Sequence, residues 1–536
     1  MPAMKRPWKI AAIVLFTLSL LLGGLFGDRL LALTDEARDT LRLYTELVNT
    51  AHDRYGAEVS YRDLVYASVQ GMLRTLDPHT SFLTPEAYSG MREKQQSSFY
   101  GLGILVGIRD SQLTVISPIE GSPASRRGVQ AGDVIATIEG EPTETMTLDE
   151  AVQKLKGPKG TSVTITVARR GLAEPLEMSI TRAEIPQTTV RQSYMLDAQT
   201  GYIQLSEFSR GTGREVAQAI GGLREKGMKR LLVDLRNNGG GLLDQAIEVS
   251  DQFLPEGSLI VETKGRTRES HQSFHATGKY PELNLPVVVL VNEGTASAAE
   301  ILSGAIQDHD VGLIAGQPSW GKGLVQTVFS LSYGSGLALT TAKYYTPSGR
   351  LIQRDYTSFF DYYTHNGAGA PKPGDQRAGE VFRTDLGRKV YGGGGITPDV
   401  EVEAEELSPF EQFLLARNAY VNFAVEFYGR QKVRSPDWKP APAVLEEFKR
   451  WLISEKMATA QEVEEAFAAP GSGDYSVLQI RGEVLNTAFG QEARHRVMSQ
   501  GDKQIAAALG LFDRAGELLA QRRARDNKER RAALGS

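Results

Sequence analysis

From Pro286 to Val291 the chain reads Pro-Val-Val-Val-Leu-Val, an unbroken apolar, β-branched run bounded by turn residues. Such a run predicts a strand buried on both faces. Asn292-Glu-Gly294 then makes a turn, and Thr295-Ala-Ser-Ala-Ala-Glu-Ile-Leu-Ser-Gly-Ala-Ile306 changes to a helical pattern. Ser297 therefore falls near a helix N-terminus at the C-terminal end of a strand, where free backbone N–H groups point outward. Arg230-Leu-Leu-Val-Asp-Leu235, before a Gly-rich corner, and Val311-Gly-Leu-Ile-Ala315 read as further strands, so residues 183–405 predict an α/β core.

The flanking regions have other periods. Residues 28–96 show helical spacing, with Leu41, Leu43, Leu47 and Val48, then Leu64, Val65, Val69, Met72 and Leu73, and predict a small helical domain. Residues 97–182 are rich in glycine and β-branched residues: Leu113–Ile116, Asp133–Ile138 and Ser162–Ala168 read as strands around one helix, Leu148–Leu155. Residues 355–380, rich in Gly, Pro and charge, read as a mobile surface loop. Residues 406–536 return to helical patterns, as in Pro409–Leu415 and Val444–Leu452, able to pack on the core or build an oligomer interface; the charged end Arg522–Arg531 is expected to be a solvated, frayed tail.

At 536 residues the chain is too long for one core. Its net charge of −5 gives no whole-chain reason to expect a nucleic-acid partner. Cysteine is absent, which excludes disulfides, metal–thiolate sites and cysteine-protease chemistry. Lys5, Arg6 and Lys9 precede the uncharged segment Ile10–Gly27. As a helix that segment spans about 27 Å, close to a bilayer core of roughly 30 Å. Residues 1–27 thus read as an export signal retained as a membrane anchor, with the N-terminus in the cytoplasm and the body outside it.

The chemistry starts from Ser297 and Lys322, the latter in the glycine-flanked turn Gly321-Lys-Gly323 ahead of a strand-like run. They read as a serine nucleophile and a lysine base. Taken alone, Ser297-Ala-Ala-Glu300 is also a capping box and Lys322 an ordinary loop lysine. A histidine base is the chemical rival. His309 lies about 18 Å from Ser297 if their helix continues, His79 belongs to another region, and His271-x-x-x-His275 lacks a zincin's glutamate. Gly316–Gly323 nearly spells a nucleotide-binding loop, but Gly323 stands where Ser or Thr would hold magnesium, and Leu324–Phe329 reads as a strand where a helix is required.

The motif Asn292–Ala298, the Gly321-Lys322-Gly323 turn and Gln326 together resemble the C-terminal processing peptidases, or tail-specific proteases. Leu76–Leu83, Asp234–Leu243, Tyr344–Arg350 and Tyr391–Asp399 resemble the same family, and the likeness covers roughly residues 36–405. Gly239 stands where the family usually has proline, which makes that corner less rigid. The resemblance implies a crotonase-like α/β core, with Ser297 as nucleophile, Lys322 as base and Gln326 as its orienting partner. By motif position the amides of Ala298 and Gly240 are the oxyanion donors, with Gly239 or Gly241 as substitutes for the latter. This chemistry needs neither cofactor nor metal. It needs a neutral lysine, and lowering a lysine pKa by about three units means disfavouring its charged form by roughly 4 kcal/mol.

Residues 97–182 resemble a PDZ domain through Gly101-Leu-Gly-Ile104, Gly121-Ser-Pro-Ala124 and Gly128–Asp133. The implied role of Gly101, Leu102, Gly103 and Ile104 is to cradle a peptide's terminal carboxylate on backbone N–H groups. The expected protein is a serine endopeptidase of the bacterial envelope, periplasmic and held at the inner membrane, acting on proteins or peptides with free C-termini. An adaptor protein and self-association remain open as further partners. A non-catalytic PDZ scaffold of the envelope is the alternative.

Overall fold

The computed structural model describes residues 35–534 apart from 97, 110, 120, 131, 170, 171, 173, 357–379 and 470. The expected anchor within residues 1–27, and most of the loop expected at 355–380, lie outside the described residues. Among the described residues no helix is long and apolar enough to cross a membrane.

The chain divides into two units, Met1–Phe82 and Leu83–Ser536. In the first, helices α1 (Asp35–Arg54) and α2 (Tyr61–Arg74) form a hairpin. Ser60 caps α2 by accepting from the Asp63 N–H, and the Tyr44 hydroxyl meets Ser68 at 2.6 Å. Val48 and Leu73 are buried, but Leu41, Leu43 and Leu47 are exposed, so this pair of helices has a smaller core of its own than the spacing of its leucines predicts. The third helix of the region, α3 (Pro85–Gln95), belongs to the second unit.

The second unit opens with a ribbon in which β1 (Ser98–Gly101) pairs with β7 (Ala183–Pro186) and so closes off the segment between them. That segment holds β2 (Ile104–Arg109), β3 (Gln112–Pro118), β4 (Val134–Ile138), β5 (Ser162–Ala168) and β6 (Leu176–Thr181), joined in the order β2-β3-β4-β5-β6. Helix α4 (Leu148–Leu155) starts at a Thr147–Glu150 capping box and buries Ala151 and Leu155. The segment's apolar core has Val115, Ile135, Ile138, Val163, Ile165 and Val167 fully buried.

The α/β core is a sheet of β8 (Val190–Met195), β9 (Thr200–Leu205), β10 (Arg230–Asp234), β13 (Val287–Val291), β14 (Leu313–Gly316) and β17 (Val400–Glu401), in that spatial order. β8 is antiparallel to β9 and the rest run parallel. All five residues of β13 are buried, as its uninterrupted apolar run requires, each side chain contributing about 1.5–3 kcal/mol. Helices α5 (Thr212–Glu225), α6 (Leu243–Ser250) and α7 (Ala298–Asp308) carry the crossovers. A second sheet joins β11 (Leu259–Gly265), β12 (Gln272–His275), β15 (Leu324–Ser330) and β16 (Gly336–Tyr345), with β15 at its edge.

Helices from α8 (Pro409–Ala416) to α15 (Phe512–Leu534) complete the unit. Tyr420 and Phe423 of α9 (Ala419–Arg430) pack on Phe448 and Trp451 of α10 (Pro442–Ser454) at ring separations of 5.1–5.7 Å. Ile505, Ala508, Phe512 and Ala515 lie over Leu232, Val288, Leu290 and Leu313, so the last helices cover one face of the core sheet. The charged end Arg522–Arg531, expected to be solvated and frayed, is instead continuous helix. Arg522 is buried and reaches Glu282 at 3.6 Å, and Arg523 donates to the Asn284 carbonyl at 2.8 Å. A charge run read in one dimension hides partners supplied from elsewhere in the fold.

Candidate active site

Ser297 closes the turn after β13 and is the residue on which α7 starts. Its backbone sits at φ 55°, ψ −116°, a conformation that side chains other than glycine's seldom adopt. The strain is held from several directions. The Asn237 N–H donates to Asn292 Oδ1 at 2.8 Å and Asn292 Nδ2 donates back to Asn237 Oδ1 at 3.0 Å, which ties the Asp234–Leu243 corner to the serine turn. The Thr295 hydroxyl donates to the Leu235 carbonyl at 2.8 Å, and the Ala296 N–H to the Asn238 carbonyl at 2.9 Å.

Gly240 lies against the serine: a Cβ built on it would stand 2.7 Å from the Ser297 Cβ, and its φ of 93° favours glycine. Its N–H, expected to be an oxyanion donor, donates to Asn238 Oδ1 at 2.9 Å. In this arrangement that amide is committed to the loop's own turn, a bond fixed by local geometry that motif position could not reveal. Ala298, the first residue of α7, keeps a position where helical N–H groups have no intrahelical acceptor.

The turn that carries Lys322 leads into the other sheet. The lysine Nζ donates to Gln326 Oε1 at 3.1 Å, and both side chains are half-buried. After the turn the chain enters strand β15, not a helix. What brings the lysine turn to the serine is Glu300, read in the sequence only as the acidic half of a capping box. Its carboxylate is completely buried and accepts from the Ser297 N–H (2.7 Å), the Lys322 N–H (2.9 Å), the Gly321 N–H (2.7 Å) and the Ser319 hydroxyl (2.5 Å). Burial pushes the Glu300 carboxyl above the ordinary range, and these donors pull against that without overcoming it. A second tie comes from Tyr344 on β16, 2% exposed, whose single hydroxyl proton is shared between the Lys322 carbonyl and the Ser297 carbonyl, the latter at 3.0 Å. The available signal for Glu300 was a single carboxylate in the otherwise apolar opening Ala-Ala-Glu-Ile-Leu of α7; for Tyr344 it was a place at the head of the family-like segment Tyr344–Arg350, which did not reveal its partners.

The histidine rival finds its partners elsewhere. Helix α7 does continue to Asp308, and His309 meets Asp385 at 2.8 Å and the Leu259 carbonyl at 2.6 Å.

The Gly101–Ile104 loop has its own order. The Leu102 carbonyl accepts from the Ala124 N–H at 3.0 Å; the Gly103 carbonyl accepts from the Ile119 N–H at 2.9 Å and the Ser122 hydroxyl at 3.0 Å. Because a trans peptide sets N–H opposite to C=O, the amides of Gly103 and Ile104 face away from the 119–124 segment. Gly103 is required, since a Cβ there would meet the Ser122 Cβ at 2.3 Å and its φ is 74°.

The model of peptidase family S41 matches residues 199–358, and that of the PDZ domain residues 91–168. A carboxy-terminal-processing protease of Bartonella bacilliformis is 42% identical over 296 residues, 54% of this chain and 67% of that one. A carboxyl-terminal-processing protease of a Synechocystis species is 40% identical over 301 residues, 55% of this chain and 69% of its own. The carboxy-terminal processing protease CtpA of Bacillus subtilis is 35% identical over 363 residues, 66% and 76% of the respective chains. With its PDZ domain and its α/β core, this chain belongs to the carboxy-terminal-processing proteases of peptidase family S41, which are serine-type peptidases.

Proposed function

We propose that the protein hydrolyses peptide bonds with Ser297 as nucleophile and Lys322 as general base, on substrates captured by their free C-termini. The observation that supports this most directly is the Lys322 Nζ–Gln326 Oε1 bond of 3.1 Å in a turn joined to the Ser297 turn through one buried carboxylate. Neutral Lys322 takes the Ser297 hydroxyl proton as Oγ attacks the substrate carbonyl. The Lys322 ammonium then gives that proton to the departing amine, leaving an acyl-enzyme, and water releases the new C-terminus by the same proton path. Gln326 holds the lysine amine in line. The Ala298 N–H faces the developing oxyanion, joined by Gly239 or Gly241 while Gly240 stays bonded to Asn238, or by Gly240 itself if the substrate displaces that bond.

The amides of Gly103 and Ile104 receive the substrate's carboxylate, and the chain works on the outer side of a bacterial inner membrane, carried there by the segment within residues 1–27. The test is mass spectrometry of an unstructured substrate incubated with the intact protein, Ser297→Ala and Lys322→Ala. Both variants are expected to bind and not cleave, and Lys322→Arg is no rescue because a guanidinium does not become a neutral base. Cleavage by Lys322→Ala at the wild-type rate refutes the assignment.

A further inference from the structure

The PDZ sheet ends in β2, whose outer edge pairs with no strand among the described residues, and the amides of Gly103 and Ile104 sit at its start. A peptide whose terminal carboxylate meets those amides and which pairs with β2 must run antiparallel to it, from Ile104 toward Arg109. Five steps of strand cover about 17 Å. Peptide residues about four to six positions before the last therefore lie opposite Ile108 and Arg109, beyond the reach of the carboxylate loop.

At that point the strand's end meets the C-terminal helices. A cleft of about 360 Å³ separates Arg109 from Arg417, Asn418 and Asn422 at the junction of α8 and α9, and from Glu455 and Lys456 just past α10. It holds three cations against one carboxylate. Among the described residues neither Arg109, Arg417 nor Lys456 makes an ion pair; the Arg417 guanidinium rests over the Phe413 ring at 5.7 Å. Arg417 and Lys456 are exposed, so each is free to turn into the cleft. Like charges gathered in excess over their counter-charge repel one another, and an anionic occupant relieves that repulsion.

We propose that this cleft extends the peptide site, and that the C-terminal helical region reads acidic side chains about four to six residues before a substrate's end. The proposal rests on the assignment of the PDZ loop as the carboxylate site. It gives residues 406–536 a part in substrate choice and makes the Arg109 end of β2 the point where a captured chain passes from one domain to another.

The full-length Ser297→Ala protein, which binds without cleaving, is titrated with fluorescent peptides of about ten residues that share an apolar free C-terminus. They differ only at the fifth and sixth residues from the end, being Glu-Glu, Ala-Ala or Lys-Lys. Glu-Glu is expected to bind roughly threefold to thirtyfold more tightly than Lys-Lys at low salt, the scale of one or two exposed ion pairs. The gap closes in about 0.5 M salt, where screening is short-ranged. Added Arg417→Glu and Lys456→Glu substitutions, both at exposed positions, are expected to invert the order. Equal binding of the three peptides, or an order that survives the double substitution, overturns the extension and leaves the carboxylate loop standing. No binding by any peptide overturns the loop assignment and the extension with it.

Discussion

Replacing Glu300 by glutamine changes one oxygen of the buried carboxylate into an NH2 group and leaves the volume alone. Each oxygen now accepts two hydrogen bonds: Oε1 from Gly321 and Ser319, Oε2 from Ser297 and Lys322. Glutamine facing its NH2 toward the Oε2 side would set it against two fixed backbone N–H groups. The milder choice is the Oε1 side, where the Ser319 hydroxyl can turn to accept, but the Gly321 N–H is then left against another donor. One buried unsatisfied N–H costs about 1–3 kcal/mol, and the bonds that remain lose their charge assistance, roughly halving their strength. A loss of about 2–5 kcal/mol in unfolding free energy is therefore expected, concentrated at the turn that carries Lys322. The kinetic loss is larger in proportion, since a shift of about 1 Å between reacting groups costs on the order of a hundredfold in rate. Urea unfolding followed by circular dichroism reads the first effect, and kcat on an unstructured substrate reads the second. Capture of C-terminal peptides should be unchanged. A variant that loses stability but keeps kcat within about twofold would show that Glu300 supports the fold without setting the spacing of nucleophile and base.

Tyr344→Phe keeps the buried ring and removes the hydroxyl that joins the Ser297 and Lys322 carbonyls; stability should fall by about 1 kcal/mol and kcat by about tenfold or more, with KM little moved, and an unchanged kcat would remove Tyr344 from the positioning of the site. Amidating a substrate's C-terminus should raise KM, by a few kcal/mol at most, because the charge-assisted bonds to the Gly103 and Ile104 amides are lost; equal cleavage of matched free and amidated substrates would refute that loop's role. His309 faces two acceptors, Asp385 and the Leu259 carbonyl; burial pulls its pKa down, but those bonds outweigh it and hold it above the ordinary 6.5, with Arg522 opposing from α15. A raised pKa means the imidazolium is favoured by folding, so its contribution is full below pH 6.5 and is lost as pH rises through the raised value. Asp385, held below its ordinary 3.8 by His309 against burial and near Arg525 and Arg522, contributes above that pH, which leaves the pair strongest between the two ordinary values. The difference in urea midpoint between the wild type and His309→Gln should shrink from about pH 6 to about pH 9, and a constant difference would contradict the two-donor imidazole.

The strand of five apolar residues and the helix after it were legible because each is a local pattern, a buried run and a change of period, and the Lys–Gln pair was legible through the family resemblance. What escaped is what the chain brings from a distance. Glu300 looked like one half of a cap because the Gly321 and Lys322 amides that occupy it are more than twenty positions away. The Asn237–Asn292 clamp spans 55 positions, and nothing in either asparagine's neighbours predicts the other. Gly240 lies beside the serine, yet the Asn238 side chain that takes its N–H depends on the exact turn. The charged end was misread for the opposite reason: its local composition is that of a solvated tail, while Glu282 and Asn284, some 240 positions earlier, and the Asp385 carbonyl, 140 positions earlier, hold it down.

The cover that Ile505, Ala508, Phe512 and Ala515 place over Leu232, Val288, Leu290 and Leu313 also fixes an order of events during synthesis. Five of the six strands of the sheet that presents Ser297 are complete at Gly316, but one of its faces stays bare until residues beyond 500 have left the ribosome. A nascent chain interrupted in the helical region would carry Ser297 and Lys322 on a half-sealed sheet, an adhesive surface and not a folded hydrolase. Hydrolytic competence therefore waits for residues beyond 500, and a chain still short of them has little opportunity to cut its neighbours while they are unfolded.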